Sequence, residues 1–158
     1  MPSNAIRVVD LGGGLENVLL RVNALRYVAE PAVEWTVAEE ILVSLFRTSN
    51  YFAVYGTLAP GGPNHHVLES LRGEWREGFV YGDLHQKGWG AQQGYPAIRW
   101  NPRSGRIPVK LLVSEDLEYH WERLDELEGP EYQRILVPVL PGRRSACGCE
   151  HLRGTAVA

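Results

Sequence analysis

Several features that mark common protein classes are scarce in this sequence. Its 158 residues include only two cysteines, Cys147 and Cys149, and a lone Cys-x-Cys without a second pair does not complete a tetrahedral zinc site. Lysine and arginine form no basic run, and the formal net charge is −3, so neither nucleic acid nor an anionic membrane surface is favoured as a partner. We therefore expect no metal, no nucleic acid and no membrane partner.

Long apolar stretches are missing as well. The longest apolar runs fall far short of the roughly 20 residues that a membrane-spanning helix needs. The N-terminus has neither the basic start nor the apolar block of a signal peptide, and we therefore expect a cytoplasmic protein. The remaining composition, 44% hydrophobic and 22% charged residues, is average for a globular protein with one core.

The N-terminal region carries the weakest signals. Residues 6–11 and 19–28 are apolar enough to be two strands paired as a hairpin, or to hold a short helix. Three glycines at residues 12–14 lie between them. No Gly-Lys-Ser/Thr or spaced Gly-x-x-Gly follows these glycines, so they indicate a turn rather than a nucleotide-binding loop.

A clearer pattern begins after Pro31. Val33, Val37, Ile41 and Leu45 recur every four residues, which predicts an amphipathic helix that ends near a polar junction. From residue 51 the chain changes to short apolar runs separated by glycine and proline, typical of a small β-rich domain.

These patterns divide the chain into two parts. We predict an N-terminal appendage, residues 1–50, that holds the amphipathic helix, and a domain, residues 51–158. Within the domain, residues 73–84 predict a strand pair or one long bent strand. Residues 141–158 read as a poor strand until the final few positions.

A buried strand over residues 52–55 ends abruptly at Gly56, Thr57 and Leu58, and a short helix is predicted to start at Asn64. Glycine lets a ligand approach the main chain, and consecutive N–H groups in such a turn can hold a carboxylate or phosphate. A strand that ends in Gly-Thr is also common as a plain turn. Both interpretations stay open on this motif alone.

A second informative stretch is a helix predicted over residues 115–127, capped by Ser114 and stopped by Gly129. Arg134 is predicted to pair with an acid such as Asp125 and so to fix the end of this helix.

The apolar stripe of this helix ends in a carboxylate. Leu117, Trp121 and Leu124 follow each other at spacings of four and three, and the next step of four lands on Glu128. A carboxylate at the edge of a core has an upward-shifted pKa unless it is paired, which suits a proton-transfer group. The alternative is that Glu128 frays out at the helix end and contacts water.

The two stretches together resemble a known family. Residues 55–58 (YGTL) with 63–65 (PNH) resemble the Tyr-Gly-Thr-Leu loop of the γ-glutamylcyclotransferase-like (AIG2-like) proteins. Residues 124–129 (LDELEG) with 132–134 (YQR) resemble their Leu-Asp-x-x-Glu-Gly and Tyr-x-Arg signature. The γ-glutamylamine cyclotransferase branch is the most similar, and the resemblance runs from about residue 51 to about residue 140.

The resemblance implies an α+β fold built on a small twisted mixed β-barrel with short flanking helices. It also implies a reaction: the α-amine of a γ-glutamyl amide or peptide attacks the γ-carbonyl, and 5-oxoproline and a free amine are released. No cofactor or metal is required, because ring closure is intramolecular. A non-catalytic carboxylate-binding module, or a cyclotransferase that deprotects a pathway-specific γ-glutamyl intermediate, are the alternatives.

By the same resemblance, Glu128 is the catalytic acid and base. The main chain at Gly56, Thr57 and Leu58 would hold the substrate α-carboxylate, with Tyr55 lining the pocket.

Further pocket residues are expected from two segments. Tyr132 would contact the substrate or Glu128, although a packed tyrosine is an equal alternative. Gly-Tyr-Pro at residues 94–96 resembles a segment that walls the pocket, and the candidates for recognising the leaving amine are Trp89, Gln92, Gln93 and Tyr95. His65 and His66 point to different faces of a short helix, so they do not predict a metal site.

Overall fold

The computed structural model describes residues 14–26, 33–86, 96–129, 132–142 and 155–157. No helix within these ranges is long and apolar enough to cross a membrane. In chain order, the described elements are α1 (Gly14–Leu25), α2 (Val33–Phe46), a 3₁₀ helix (Thr48–Asn50), β1 (Tyr51–Val54), a 3₁₀ helix (His65–Val67), β2 (Glu74–His85), β3 (Ala97–Trp100), β4 (Gly105–Val113), a 3₁₀ helix (Glu115–Tyr119), α3 (Trp121–Glu128), β5 (Arg134–Leu136), β6 (Leu140–Pro141) and β7 (Thr155–Val157).

The strands form one twisted, mixed sheet in the order β3-β2-β4-β1-β7-β5, with β6 paired separately to β2. β1 and β7 are parallel, and the other pairs are antiparallel. The α+β class and the mixed sheet are therefore confirmed. Among the described strands the sheet does not close into a barrel, and β3 and β5 stand at its two ends.

Two strand predictions are confirmed in the sheet. β2 is a single long strand that pairs along its length with β4. The final apolar residues form β7, which lies between β1 and β5 and joins the two halves of the sheet.

Two hydrophobic clusters pack on opposite faces of the sheet, because successive side chains of a strand point to opposite faces. The α1/α2 cluster holds Ala53 and Leu111, together with buried residues of the two N-terminal helices. The α3 cluster takes the alternate positions Phe52 and Leu112, and its other buried members are Val54, Leu58, Leu68, Leu71, Leu117 and Leu124. β1 is thus covered on both faces.

Both N-terminal helices lie where the sequence allows a helix, although α2 differs from prediction in its buried face. Of the two interpretations of residues 19–28, a strand or a short helix, the helix is confirmed, because α1 covers residues 19–25. α2 confirms the predicted helix but buries Ala38 and Leu42, whereas Val37 and Leu45 of the apolar stripe are 42% and 71% exposed.

The helix predicted over residues 115–127 is interrupted. Its first part is a 3₁₀ helix and its second part is α3, and His120 between them has φ −122° and ψ −3°. The predicted cap is confirmed, since the Asp116 N–H donates to Ser114 Oγ at 3.1 Å. Trp121 packs edge-on against Phe52, with 5.2 Å between ring centroids, and this contact holds α3 on β1.

Candidate active site

Glu128 is the last residue of α3 and is only 9% exposed. Its position follows from the apolar stripe, since Leu117 and Leu124 on the same face are fully buried. Burial disfavours the charged carboxylate and raises the pKa of Glu128 to about 7. The negative end of the helix dipole acts in the same direction. Glu128 is therefore a buried carboxyl that can hold or release a proton near neutral pH, and it is not frayed into solvent.

A tight turn follows Glu128. Gly129 has φ 75° and ψ −175°, a region that glycine alone adopts without strain, and its N–H donates to the Asp125 carbonyl at 3.0 Å. The Tyr132 N–H then donates to the Gly129 carbonyl at 3.3 Å. These two hydrogen bonds connect the end of α3 to Tyr132, two residues before β5 begins.

An open cleft of about 540 Å³ lies at this turn. It brings together Glu128 and Tyr132, two of the predicted site residues. The other described residues that line the cleft are Arg26, Asp125, Glu126, Gly129, Gln133 and Arg134.

The predicted pair between α3 and β5 is present. Arg134 donates through Nε and Nη2 to the two carboxylate oxygens of Asp125, each at 2.7 Å. The guanidinium carbon of Arg134 also lies 4.3 Å from the centroid of the Trp121 ring. A bidentate, stacked arginine fixes direction as well as distance. It therefore sets the angle between the helix that carries Glu128 and the strand that follows Tyr132.

The loop after β1 is tightly folded. Gly56 has φ 91°, Thr57 and Leu58 are buried, and the Thr57 carbonyl accepts a hydrogen bond from the Asn64 N–H at 2.9 Å. Asn64 precedes the predicted short helix, although its side chain makes no capping hydrogen bond. Within the described part of the chain, the N–H groups of Thr57 and Leu58 have no hydrogen-bond acceptor. They are two adjacent donors that can receive an anion.

The loop after β1 packs into the same hydrophobic cluster as α3, but among the described residues it does not line the cleft. Leu58 of the loop and Leu124 of α3 belong to the same α3 cluster. Leu124 lies one helical turn before Glu128. Tyr55 is half-buried and packs against the α1/α2 cluster. None of the described residues that line the cleft comes from residues 55–58.

Several other residues named in the sequence analysis fall outside the part of the chain that the structure describes. Trp89, Gln92, Gln93 and Tyr95 lie outside the described residues, as do Cys147 and Cys149. Within the described ranges, no group of three or more His, Cys, Asp or Glu side chains is arranged to hold a metal ion.

Sequence reasoning missed Arg26. It follows α1 directly, and its side chain lines the cleft although it is 108 positions from Arg134. Its guanidinium forms an ion pair with Glu39 of α2. No local periodicity marks such a residue, because a single arginine after a helix usually points to solvent.

Two solved structures are similar: YkqA from Bacillus subtilis (24% identity, TM-score 0.41, 56% of this chain and 30% of that chain) and uncharacterized protein PH0828 from Pyrococcus horikoshii (25% identity, TM-score 0.42, 56% of this chain and 68% of that chain). The chain thus spans less than a third of YkqA, and at these TM-scores the two likenesses add nothing to the argument. A search of the curated proteins finds no match.

The family comparison covers most of the chain. The family described as "Gamma-glutamyl cyclotransferase, AIG2-like" matches residues 52–151, a region that contains the loop after β1, α3 and Tyr132. This chain belongs to the AIG2-like γ-glutamyl cyclotransferase family.

Proposed function

We propose that this protein is a γ-glutamylamine cyclotransferase with Glu128 as its general acid and base. The substrate's α-amine attacks its own γ-carbonyl carbon, and the new C–N bond closes the ring of 5-oxoproline. The γ-amide C–N bond then breaks and releases a free amine. The protons that the α-ammonium loses are those that the leaving nitrogen gains, so the reaction consumes no water and needs no cofactor.

The observation that carries this proposal is the buried carboxyl at the end of α3. A group that both accepts and donates a proton works best when its pKa lies near the working pH. With a pKa of about 7, Glu128 accepts a proton from the α-ammonium and afterwards delivers one to the leaving nitrogen. A carboxylate of ordinary pKa would be ionised at neutral pH but would be too weak a base to take and hold the proton of the α-ammonium.

Two further features support the proposal. The adjacent N–H groups of Thr57 and Leu58, beside Gly56, are suited to the substrate α-carboxylate. Tyr132 shares the cleft with Glu128, where its hydroxyl would contact the substrate or the Glu128 carboxyl. Because the reaction is intramolecular, holding the substrate in its folded conformer supplies much of the rate enhancement.

The test is chromatographic detection of 5-oxoproline after incubating the purified protein with ε-(γ-glutamyl)lysine, other γ-glutamyl amines, γ-glutamyl dipeptides and glutathione. Glu128→Gln is the active-site variant, and Glu122→Gln, an exposed acid on the same helix, is its matched control. We expect product from the wild type and from Glu122→Gln, and none from Glu128→Gln with unchanged circular dichroism.

Each outcome separates the candidate functions. The substrate class that gives product identifies the leaving amine. Full turnover by Glu128→Gln would remove Glu128 from the mechanism. No product from any substrate, with folded protein, would reject the proposed amine substrates and favour a carboxylate-binding module or a pathway-specific γ-glutamyl intermediate.

The pH dependence offers a second check. Since Glu128 must be ionised to accept the first proton, kcat/KM should rise with pH and level off above about 7. An acid limb near pH 4.5 would show that the group that accepts the proton has an ordinary carboxyl pKa, which contradicts a raised pKa at the catalytic carboxyl.

A further inference from the structure

The edge of β5 that faces away from β7 is joined to no other strand in the part of the chain that the structure describes. Among the described strands, β5 pairs only with β7. Main-chain groups of alternate residues point to the same edge of a strand, so Arg134 and Leu136 present their groups together. An uncovered edge of this kind exposes polar main-chain groups and is usually shielded in native proteins.

Side chains of α1 cover this edge. Asn23 Nδ2 donates to the Leu136 carbonyl at 2.7 Å, and the Leu136 N–H donates to Asn23 Oδ1 at 2.8 Å. Arg26 Nη1 donates to the Arg134 carbonyl, also at 2.7 Å. Asn23 and Arg26 are three residues apart, so they lie on the same side of the helix end and reach main-chain groups two residues apart on β5. Together they replace a neighbouring strand.

These contacts are buried and specific. Asn23 is 7% exposed, and its amide uses both a donor and an acceptor on one residue of β5. The Arg26 side chain is 16% exposed and its Nη2 forms an ion pair with Glu39. Arg26 therefore joins the end of α1, α2 and β5 at one point, and it does so at the wall of the cleft.

The connection continues to the proposed catalytic carboxyl. Arg26 holds the main chain of Arg134, and the guanidinium of Arg134 holds Asp125 through two hydrogen bonds. Asp125 is in α3, three residues before Glu128. The residues just before β5, including Tyr132, line the same cleft. A shift of β5 would therefore move both sides of the proposed site.

We propose that Asn23 and Arg26 of α1 are positioning residues of the active site, which bind the edge of β5 and thereby fix Tyr132 and, through Arg134 and Asp125, the helix end that carries Glu128. This inference rests on the proposed function for its kinetic consequences. Both residues lie before the region that the family match covers, which begins at residue 52. The proposal thus makes α1 part of the active site, although α1 lies in the N-terminal region that precedes the matched residues.

The test compares variants that remove the contacts with variants that keep them. Arg26→Met removes the guanidinium and keeps an apolar stem, and Arg26→Lys restores one cationic donor. Asn23→Leu removes the amide at similar volume. Asn17→Leu, at an exposed position of α1, is the matched control. Folding is checked by circular dichroism, and Arg26→Gln replaces Arg26→Met if the latter does not fold.

The readouts are kcat, KM and the acid limb of kcat/KM for 5-oxoproline formation. We expect kcat to fall about tenfold or more in Arg26→Met and Asn23→Leu, because small displacements of reacting groups have large effects on rate. In Asn23→Leu, which changes no charge, the acid limb should move to lower pH by about half a unit or more, since a loosened cleft admits water to Glu128. Arg26→Lys should recover part of kcat, and Asn17→Leu should match the wild type. Unchanged kcat and an unchanged acid limb in folded variants would overturn the proposal.

A direct titration keeps this test separate from that of the reaction itself. The midpoint of the Glu128 side-chain ¹³C signal, assigned by its loss in Glu128→Gln, is measured in the wild type and in Asn23→Leu, which changes no charge. Among the described residues, the charged or titratable groups that share the cleft with Glu128 are Arg26, Asp125, Glu126, Tyr132 and Arg134. If the wild type forms no 5-oxoproline, the proposed function fails, and a lower midpoint in Asn23→Leu still supports positioning of Glu128 by α1. An unchanged midpoint overturns it.

Discussion

Replacing Glu128 with Gln should change how stability depends on pH. The folded protein holds the Glu128 proton up to a pKa of about 7, against 4.5 for an ordinary glutamate. The stabilisation from this proton is fully present below pH 4.5 and is lost as the pH rises through about 7. The wild type should therefore lose stability across this window, and the uncharged glutamine should not.

The size of the effect follows from the two pKa values. Integrating the difference in bound protons between pH 5 and pH 8 gives a loss of about 2–3 kcal/mol for the wild type. Because all other ionisable groups are common to both proteins, the difference in free energy of unfolding between Glu128→Gln and the wild type isolates this one carboxyl. Between pH 5 and pH 8, the free energy of unfolding of Glu128→Gln should therefore increase relative to that of the wild type by the same amount.

The assay is urea unfolding at half-unit steps from pH 5 to pH 8, with m-values compared at each pH. Glu122→Gln is the control, because it removes an exposed carboxyl from the same helix and should give a nearly constant difference. A Glu128→Gln difference that stays flat across the range would refute the argument that burial controls this carboxyl, whatever the activity of the variant.

Three other substitutions test how the site is built. Leu124→Ala should cost about 3 kcal/mol of stability, since Leu124 is 1% exposed. Leu127 is 39% exposed, so Leu127→Ala should cost under about 1 kcal/mol. Equal losses of stability in thermal unfolding would contradict the assigned helix face. Gly129→Ala should cost about 2 kcal/mol, because alanine is strained at the positive φ of this position. The added Cβ would meet no atom within 4 Å, so backbone strain alone accounts for the cost. Gly105→Ala, equally open but without a positive φ, is the control in the same unfolding assay. Arg134→Met should cost about 1 kcal/mol by loss of its bidentate carboxylate pair, and a larger fall in kcat than this stability loss explains would confirm its place beside the site.

Local patterns predicted the parts of the site that depend on local chain geometry. The stripe from Leu117 to Leu124, the stop at Gly129 and the pair between Asp125 and Arg134 all involve residues within ten positions of each other. Helix periodicity and turn chemistry act at that range, so the sequence carries their signal directly. The break at His120 was missed because its neighbours are compatible with a continuous helix.

Contacts between distant segments could not be predicted in the same way. α2 is apolar around much of its surface, so a spacing of four marks a helix without selecting its buried face. The face is selected by packing, which buries Ala38 and Leu42, and by the ion pair from Glu39 to Arg26. Neither leaves a periodic trace in the sequence.

The same reasoning explains why spacing alone left Glu128 ambiguous. A carboxylate that ends an apolar stripe is placed at the boundary of the core, and whether it is buried depends on what packs over the helix end. Here the chain turns back at Gly129 into β5, and β5 is held in place by the side chains of Asn23 and Arg26. The positioning proposal makes the pKa of Glu128 depend on residues more than a hundred positions earlier. Removal of the α1 contacts by Asn23→Leu should therefore lower that pKa, although this substitution does not touch α3.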